Sequence, residues 1–322
     1  MSTLTATDLI YALCCVALLG MAGFVWARSP RAWLNRSFAL TCLFLLAWLV
    51  TLFLFNRTGQ PETLLLVGRL NFAAVPPAAL CAYLFVRAVA NLPLLRRTSF
   101  WGLVGSSLLL ALISAATPLV DQAELLAAGT GTRHITVYGP LFPLYAIYVA
   151  AFLLAAVLLA FQQASNTRPP ARDQLLLVGS GMLATGLVAL VTNALLPYAF
   201  GQFRFTDAGP FSTVLFLAAV AYAVAKHRLF DVRLLVRKTL VYGLLLSFVL
   251  ATYSSLLVLA TDRFAGDGNG ALTRFGVLAI AFSFDPIRRF LEHRIDKLLF
   301  QRPRRPQRLH RSRPHQPGAS SL

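Results

Sequence analysis

"AKHRLFDVRLLVRKTLVYGLL", residues 225–245, places five Lys or Arg residues between two long apolar runs. A run of about 18 or more apolar residues is a candidate membrane span. Lys and Arg collect in the short loops that stay on the cytoplasmic side. The stretch therefore reads as a basic loop joining two spans, and the fold class depends on whether the rest of the chain repeats the pattern. It does. Of 322 residues, 57% are hydrophobic and 13% charged, whereas a soluble domain carries about a quarter charged residues. Nine apolar runs follow one another, at roughly 9–27, 37–55, 64–86, 101–120, 140–162, 174–197, 208–225, 240–261 and 268–286. The last is trimmed by Arg274 and Asp285, and a re-entrant or tilted segment also fits there. A transmembrane barrel would need short alternating segments, which are absent.

The loops test the count. With the N-terminus outside, the cytoplasmic segments 28–36, 87–100, 163–173, 226–239 and 287–322 hold 23 of the 29 Lys and Arg residues. The outside segments, with Arg274 counted among them, hold 5, and Arg69 lies within the third run. Adding or dropping one internal span would scramble this alternation. The expected fold class is all-α, a polytopic helical membrane bundle. It comprises a seven-helix region (1–227), a basic cytoplasmic junction (228–239), two further transmembrane helices (240–286), an amphipathic cytoplasmic helix (287–301) and a disordered basic tail (302–322). The expected localisation is the cell membrane, with the N-terminus outside and the C-terminus cytoplasmic.

The net charge of +17 does not point to nucleic acid. The sequence has no soluble basic domain, no aromatic and basic interleaving on a sheet and no zinc spacing. The lipid bilayer is the expected partner. Cys14, Cys15, Cys42 and Cys81 all lie inside apolar runs and form no CxxC pair, so they read as small buried apolar side chains. No metal or other cofactor is expected. HExxH, GxSxG, Walker A and HxE…CxxC patterns are missing, as is a carboxylate ladder for proton relay. No inverted repeat of broken helices marks a transporter.

Polar residues within apolar runs are the candidate binding groups. Arg69, Asn71 and Asn193 read either as part of a ligand pocket near the outer leaflet or as interhelical bonds and an interface-seeking arginine. Pro76 and Pro77 fall in the middle of the third run, where the lost backbone donors kink a helix and can open a cavity. "GSGMLATG", residues 179–186, supplies small residues for close helix contact. The longest outside loop, 121–139, contains "HITVY" between glycines. It reads as a short strand or hairpin, a lid over the outer mouth, or as a plain surface loop.

Beyond the ninth run comes "FDPIRRFLEHRIDKLLF". Pro286 suits a helix start, and Ile287, Phe290, Leu291, Ile295, Leu298 and Leu299 form an amphipathic stripe. That stripe either lies on the membrane or pairs with its own copy. Together, "KHRLFDVRLLVRKTLVYGLL" and "FDPIRRFLEHRIDKLLF" resemble the bacterial sensor histidine kinases with an N-terminal seven-transmembrane region. Arg228, Leu229, Phe230, Asp231 and Val232 match the family's first junction motif, and Pro286, Arg288, Arg289, Asp296 and Phe300 its second. The loop before "GPLFPLY" is similar to the family's outer loop, and the resemblance covers about residues 5–302.

The resemblance implies a membrane-embedded signal-input module. A stimulus, a small molecule or a property of the membrane, would be passed to the cytoplasmic helix. Arg228, Phe230, Asp231, Pro286, Arg288, Arg289 and Asp296 would form the signalling junction. The helix could join two copies as a homodimer, and a separate kinase could act as partner. The family's phospho-accepting histidine and ATP-binding domain are not matched. None of His134, His227, His293, His310 and His315 lies in a dimerisation hairpin, so the chain is not expected to be an enzyme. The Arg-, Pro- and Ser-rich tail suits out-of-frame translation of a GC-rich gene. A truncated or frameshifted kinase is the expected explanation, and a stand-alone sensor the second. A membrane transporter or permease is the alternative function.

Overall fold

The computed structural model describes residues 6–58, 60–126 and 134–227. The junction at 228–239, the eighth and ninth spans, the 287–301 helix, the tail and all seven junction residues lie outside the described residues.

In lipid no water is available to the backbone, so each apolar run must satisfy its own N–H and C=O groups by coiling. The helices are α1 (Ala6–Arg28), α2 (Trp33–Arg57), α3 (Pro61–Val89), α4 (Arg97–Ala116), α5 (Phe142–Ser165) and α6 (Ala171–Leu190). A π-helical turn, Val191–Leu195, carries α6 into a short α7 (Leu196–Phe200), and α8 (Ala208–His227) follows. Six helices, with α6 counted through to Phe200, are long and apolar enough to cross a membrane. The seventh, α8, has its apolar stretch at Ala208–Val224. Between α4 and α5, β1 (Asp121–Leu126) pairs antiparallel with β2 (His134–Tyr138), with Glu124 opposite Thr136 and a bulge between Asp121 and Ala123. Within 121–139 the described residues therefore form an antiparallel strand pair, called here the hairpin. The start of α1, the ends of α2 and α7, the starts of α3, α5 and α8, and the hairpin share one end of the bundle, called here the hairpin end.

The central element is α3, which packs against α2, α4, α5 and β1. In its apolar window 67% of residues are buried, against 39% or fewer in the other five long helices. Those helices turn Val16, Trp101, Leu112, Ile147 and Leu187 outward, as expected where lipid is the solvent.

Pro76 and Pro77 lie inside an unbroken α3, both buried. Pro76 has no N–H for the carbonyl of Phe72, four residues earlier. The hydroxyl of Tyr145, on α5, donates to that carbonyl at 2.9 Å, so a neighbouring helix supplies the missing partner. The small residues of α6 serve close packing. A Cβ added at Gly179 would lie 2.8 Å from the Cβ of Ala160 on α5, and one at Gly181 would collide with Ala219 on α8.

Candidate functional site

The polar side chains at the hairpin end tie separate elements together. Arg57, at the end of α2, forms an ion pair with Asp8 at the start of α1, its Nε donating to Asp8 Oδ1 at 3.0 Å. One turn further along α1, the Tyr11 hydroxyl donates to Asp207 Oδ1 at 2.6 Å. Asn56 Nδ2 donates to the same oxygen at 3.0 Å. Asp207 is the last residue before α8, so three elements converge on one carboxylate. The Tyr11 ring packs edge-on against Phe211 and tilted against Phe53, with centroids 5.0 and 5.7 Å away.

The hairpin is seated on α3. Arg69 Nε donates to the backbone oxygen of Asp121 at 3.2 Å. The Thr136 hydroxyl, across the hairpin, lies 2.9 and 3.0 Å from the two carboxyl oxygens of Glu124 and donates to them. Gly68 makes the seat possible. A Cβ there would stand 2.9 Å from both the Asp121 and the Glu124 carboxyl oxygens. The His134 ring meets Phe55 edge-on at 4.9 Å. Burial pushes Glu124 up to about 9, and the neighbouring Asp121 carboxyl adds to the shift. Burial also raises Asp121, to about 7, against the pull of the Arg69 guanidinium. Burial raises the Tyr138 phenol as well, followed by the two carboxyls.

Between these ties lies a cavity of about 740 Å³. Its rim carries Asp8, Tyr11, Asn56, Glu124, Arg204 and Asp207, while Phe72, Ala79, Val149, Leu153, Met182 and Phe216 line its depth. Phe38, Phe85 and Phe216 close against one another towards the opposite end, at centroid distances of 5.1, 6.2 and 6.3 Å. Phe38 and Phe85 are fully buried. The wall is thus apolar and aromatic with a few polar groups at one end, the usual make-up of a small-molecule site.

Of the three residues singled out from the sequence, Asn71 and Asn193 line the cavity. Asn71 Nδ2 also joins α3 to α2, donating to Trp48 O and Thr51 Oγ1, each at 3.0 Å. Asn193 lies in the π-turn and donates to Thr192 Oγ1 at 2.9 Å. Arg69 is not among the lining residues and holds the hairpin instead. Sequence reasoning missed Asp8, Tyr11, Asn56, Glu124, Thr136 and Asp207. Their only signal is position, at or just beyond the ends of apolar runs, where polar residues are ordinary. Among the described residues no group of three or more His, Cys, Asp or Glu could hold a metal ion.

Seven described helices with a hairpin between the fourth and fifth invite comparison with known families. The model of the N-terminal 7TM region of histidine kinase matches residues 10–233, more than half of the chain. The chain belongs to that family. No curated protein and no solved structure matches it. This 7TM region is a multi-pass membrane signal-input module, and the match ends at residue 233. The cavity described above lies wholly within the matched residues, apart from Thr7 and Asp8 at its rim.

Proposed function

We propose that the hairpin-end cavity receives the stimulus and that α8 carries the response to the cytoplasmic junction and on to the 287–301 helix. One observation carries this reading: Asp207, immediately before α8, and Phe216, on α8, both line the cavity, and α8 runs on to His227. A ligand shifts such a bundle only by its differential affinity for two packings. Contact with Asp207 and Phe216 gives it purchase on the exit helix.

The hairpin end is proposed to face outside. Arg28, Arg31, Arg36, Arg87, Arg96, Arg97, Arg168 and Arg172 all lie at the opposite end or within about two turns of it, where positive charge favours the cytoplasm. The output helix is proposed to act on a kinase, as part of the same protein or as a separate partner, through a homodimer. The chain itself performs no catalysis in this reading. The permease alternative needs a route through the bundle, and the Phe38, Phe85 and Phe216 cluster below the cavity argues for a closed floor.

The test is a chimera of residues 1–301 fused in frame to a histidine-kinase core. Ala146→Phe, which fills the cavity from α5, should shift kinase output about tenfold or more relative to the parent. Breaking the 287–300 stripe should uncouple it. Unchanged output from both variants, at equal membrane abundance, would sink the reading.

A further inference from the structure

We propose that the cavity takes a small amphipathic organic cation, its ammonium head on the Asp207 carboxylate and its apolar body directed between α3, α5 and α6. This rests on the reading of the cavity as the stimulus pocket and names what enters it.

The argument begins with the charges on the wall. Three carboxyl groups line the cavity: Asp8, Glu124 and Asp207. Asp8 is answered by Arg57. Glu124 takes the Thr136 hydroxyl and stands beside Asp121, and burial with a carboxyl neighbour keeps it in its neutral form near pH 7. Asp207 differs from both. Its two donors, Tyr11 and Asn56, are neutral, and both reach Oδ1. Among the described residues Asp207 is met by Tyr11 and Asn56 and by no Lys or Arg side chain. With both neutral donors on Oδ1, Oδ2 of this half-buried carboxyl is left to accept from a ligand.

The surroundings suit an ammonium group. Aromatic faces attract cations; Tyr11, bonded to Asp207, and Phe53 both line the cavity, and Phe211 packs against the Tyr11 ring. The guanidinium of Arg57 already lies 5.7 Å from the Phe53 centroid, so this corner holds one cation against a ring. Below the head position the wall turns apolar, with Val75, Ala79, Val149, Leu153 and Met182. A volume of about 740 Å³ falls inside the roughly 300–1,000 Å³ usual for small-molecule pockets. Arg204 is the rival anchor, for an anionic head, but it is exposed at the rim, where water competes for it. The ammonium could belong to a free amine or to an ethanolamine lipid headgroup, and the chemistry is the same.

The full chain, purified in uncharged maltoside micelles, is titrated with 4-phenylbutylamine, 4-phenylbutyrate and 4-phenylbutanol, which share one skeleton and differ in the head. Trp48, on the cavity wall, reports binding by fluorescence, and calorimetry gives the affinity. The amine should bind most tightly. Asp207→Asn keeps an acceptor for Tyr11 and Asn56, and it should weaken amine binding about ten- to hundredfold, the cost of one charge-assisted contact. The same variant should leave 4-phenylbutanol unaffected, and Arg204→Gln should leave the amine unaffected. Added phosphatidylethanolamine that displaces the amine assigns the site to a lipid head; no displacement assigns it to a free amine. Preference for the butyrate, equal binding of all three, no binding, or an unchanged affinity in Asp207→Asn overturns the proposal. Butyrate preference would leave the stimulus-pocket reading standing. Amine binding to a chain whose kinase chimera ignores Ala146→Phe would sink that reading and leave the ligand class intact.

Discussion

Tyr145 shows how one side chain settles a conflict between two levels of structure. Pro76 takes a donor away from the central helix at a depth where no water can replace it. The Phe72 carbonyl would be a buried acceptor without a partner, at a cost of about 1–3 kcal/mol. The Tyr145 hydroxyl meets it at 2.9 Å, and the bond also fixes the distance between α3 and α5 beside the cavity. Tyr145→Phe should lower stability by about 1–2 kcal/mol. Pro76→Ala restores the N–H that Phe72 lacks, so the cost of Tyr145→Phe should largely vanish in that background. A double-mutant cycle on thermal unfolding in micelles measures the coupling. Equal costs in the two backgrounds would show that the hydroxyl does not serve that carbonyl. The proline pair is legible in the sequence, but its consequence is not, because the partner lies about 70 residues away on another helix.

At the scale of elements, the seven described spans were legible because lipid demands length and apolarity from each run, and both are local properties. The hairpin was half legible. "HITVY" is β-branched and aromatic, but "DQAELL" is built of good helix formers. It becomes a strand because β2 offers backbone partners and because Gly68 leaves room for its acidic side chains against α3. The π-turn had no local signal at all. It turns on how α6 meets the start of α8, where a Cβ at Gly209 would collide with the Asn193 amide. The site followed the same rule: Asn71 and Asn193 stood out against apolar surroundings, whereas Asp207 and Tyr11 gain meaning only when α1 and the loop before α8 meet. The hairpin's seat also predicts a pH dependence. Glu124 and Asp121 are raised to about 9 and about 7 from 4.5 and 3.8, so the folded state holds protons that the unfolded chain releases. Their contribution is complete below about 4 and is lost as pH rises through the folded values, so stability declines between about pH 4.5 and pH 9. Glu124→Gln stays neutral throughout and should flatten that decline, most clearly above pH 7. Thermal unfolding of both proteins from pH 5 to pH 9.5 checks this; parallel curves would show that Glu124 is not the group that titrates.

At the scale of the whole molecule, one physical asymmetry orders everything else. Basic residues gather at the end opposite the hairpin, and the cavity, the hairpin and the paired carboxyls gather at the other. A bundle so divided can be inserted one way with its arginines retained on the cytoplasmic side and the other way only by moving them across the bilayer. The orientation is therefore the premise on which the outward-facing pocket and the inward output both rest. It is testable without knowing the stimulus. The four native cysteines all lie within helices, so a cysteine-free background is the starting point. Single cysteines then replace Gln122 and Gln202 at the hairpin end, and Leu94 and Asn166 at the opposite end, all four exposed. A fifth replaces Ser312 near the C-terminus. A membrane-impermeant maleimide applied to intact cells should label the first two and spare the other three until the cells are opened. Labelling of Leu94→Cys and Asn166→Cys from outside would invert the bundle and place the cavity in the cytoplasm, where an external signal could not reach it. Labelling of Ser312→Cys alone would leave the pocket outside but show an even number of spans, so that the exit helix could not feed a cytoplasmic kinase through the segments that follow it.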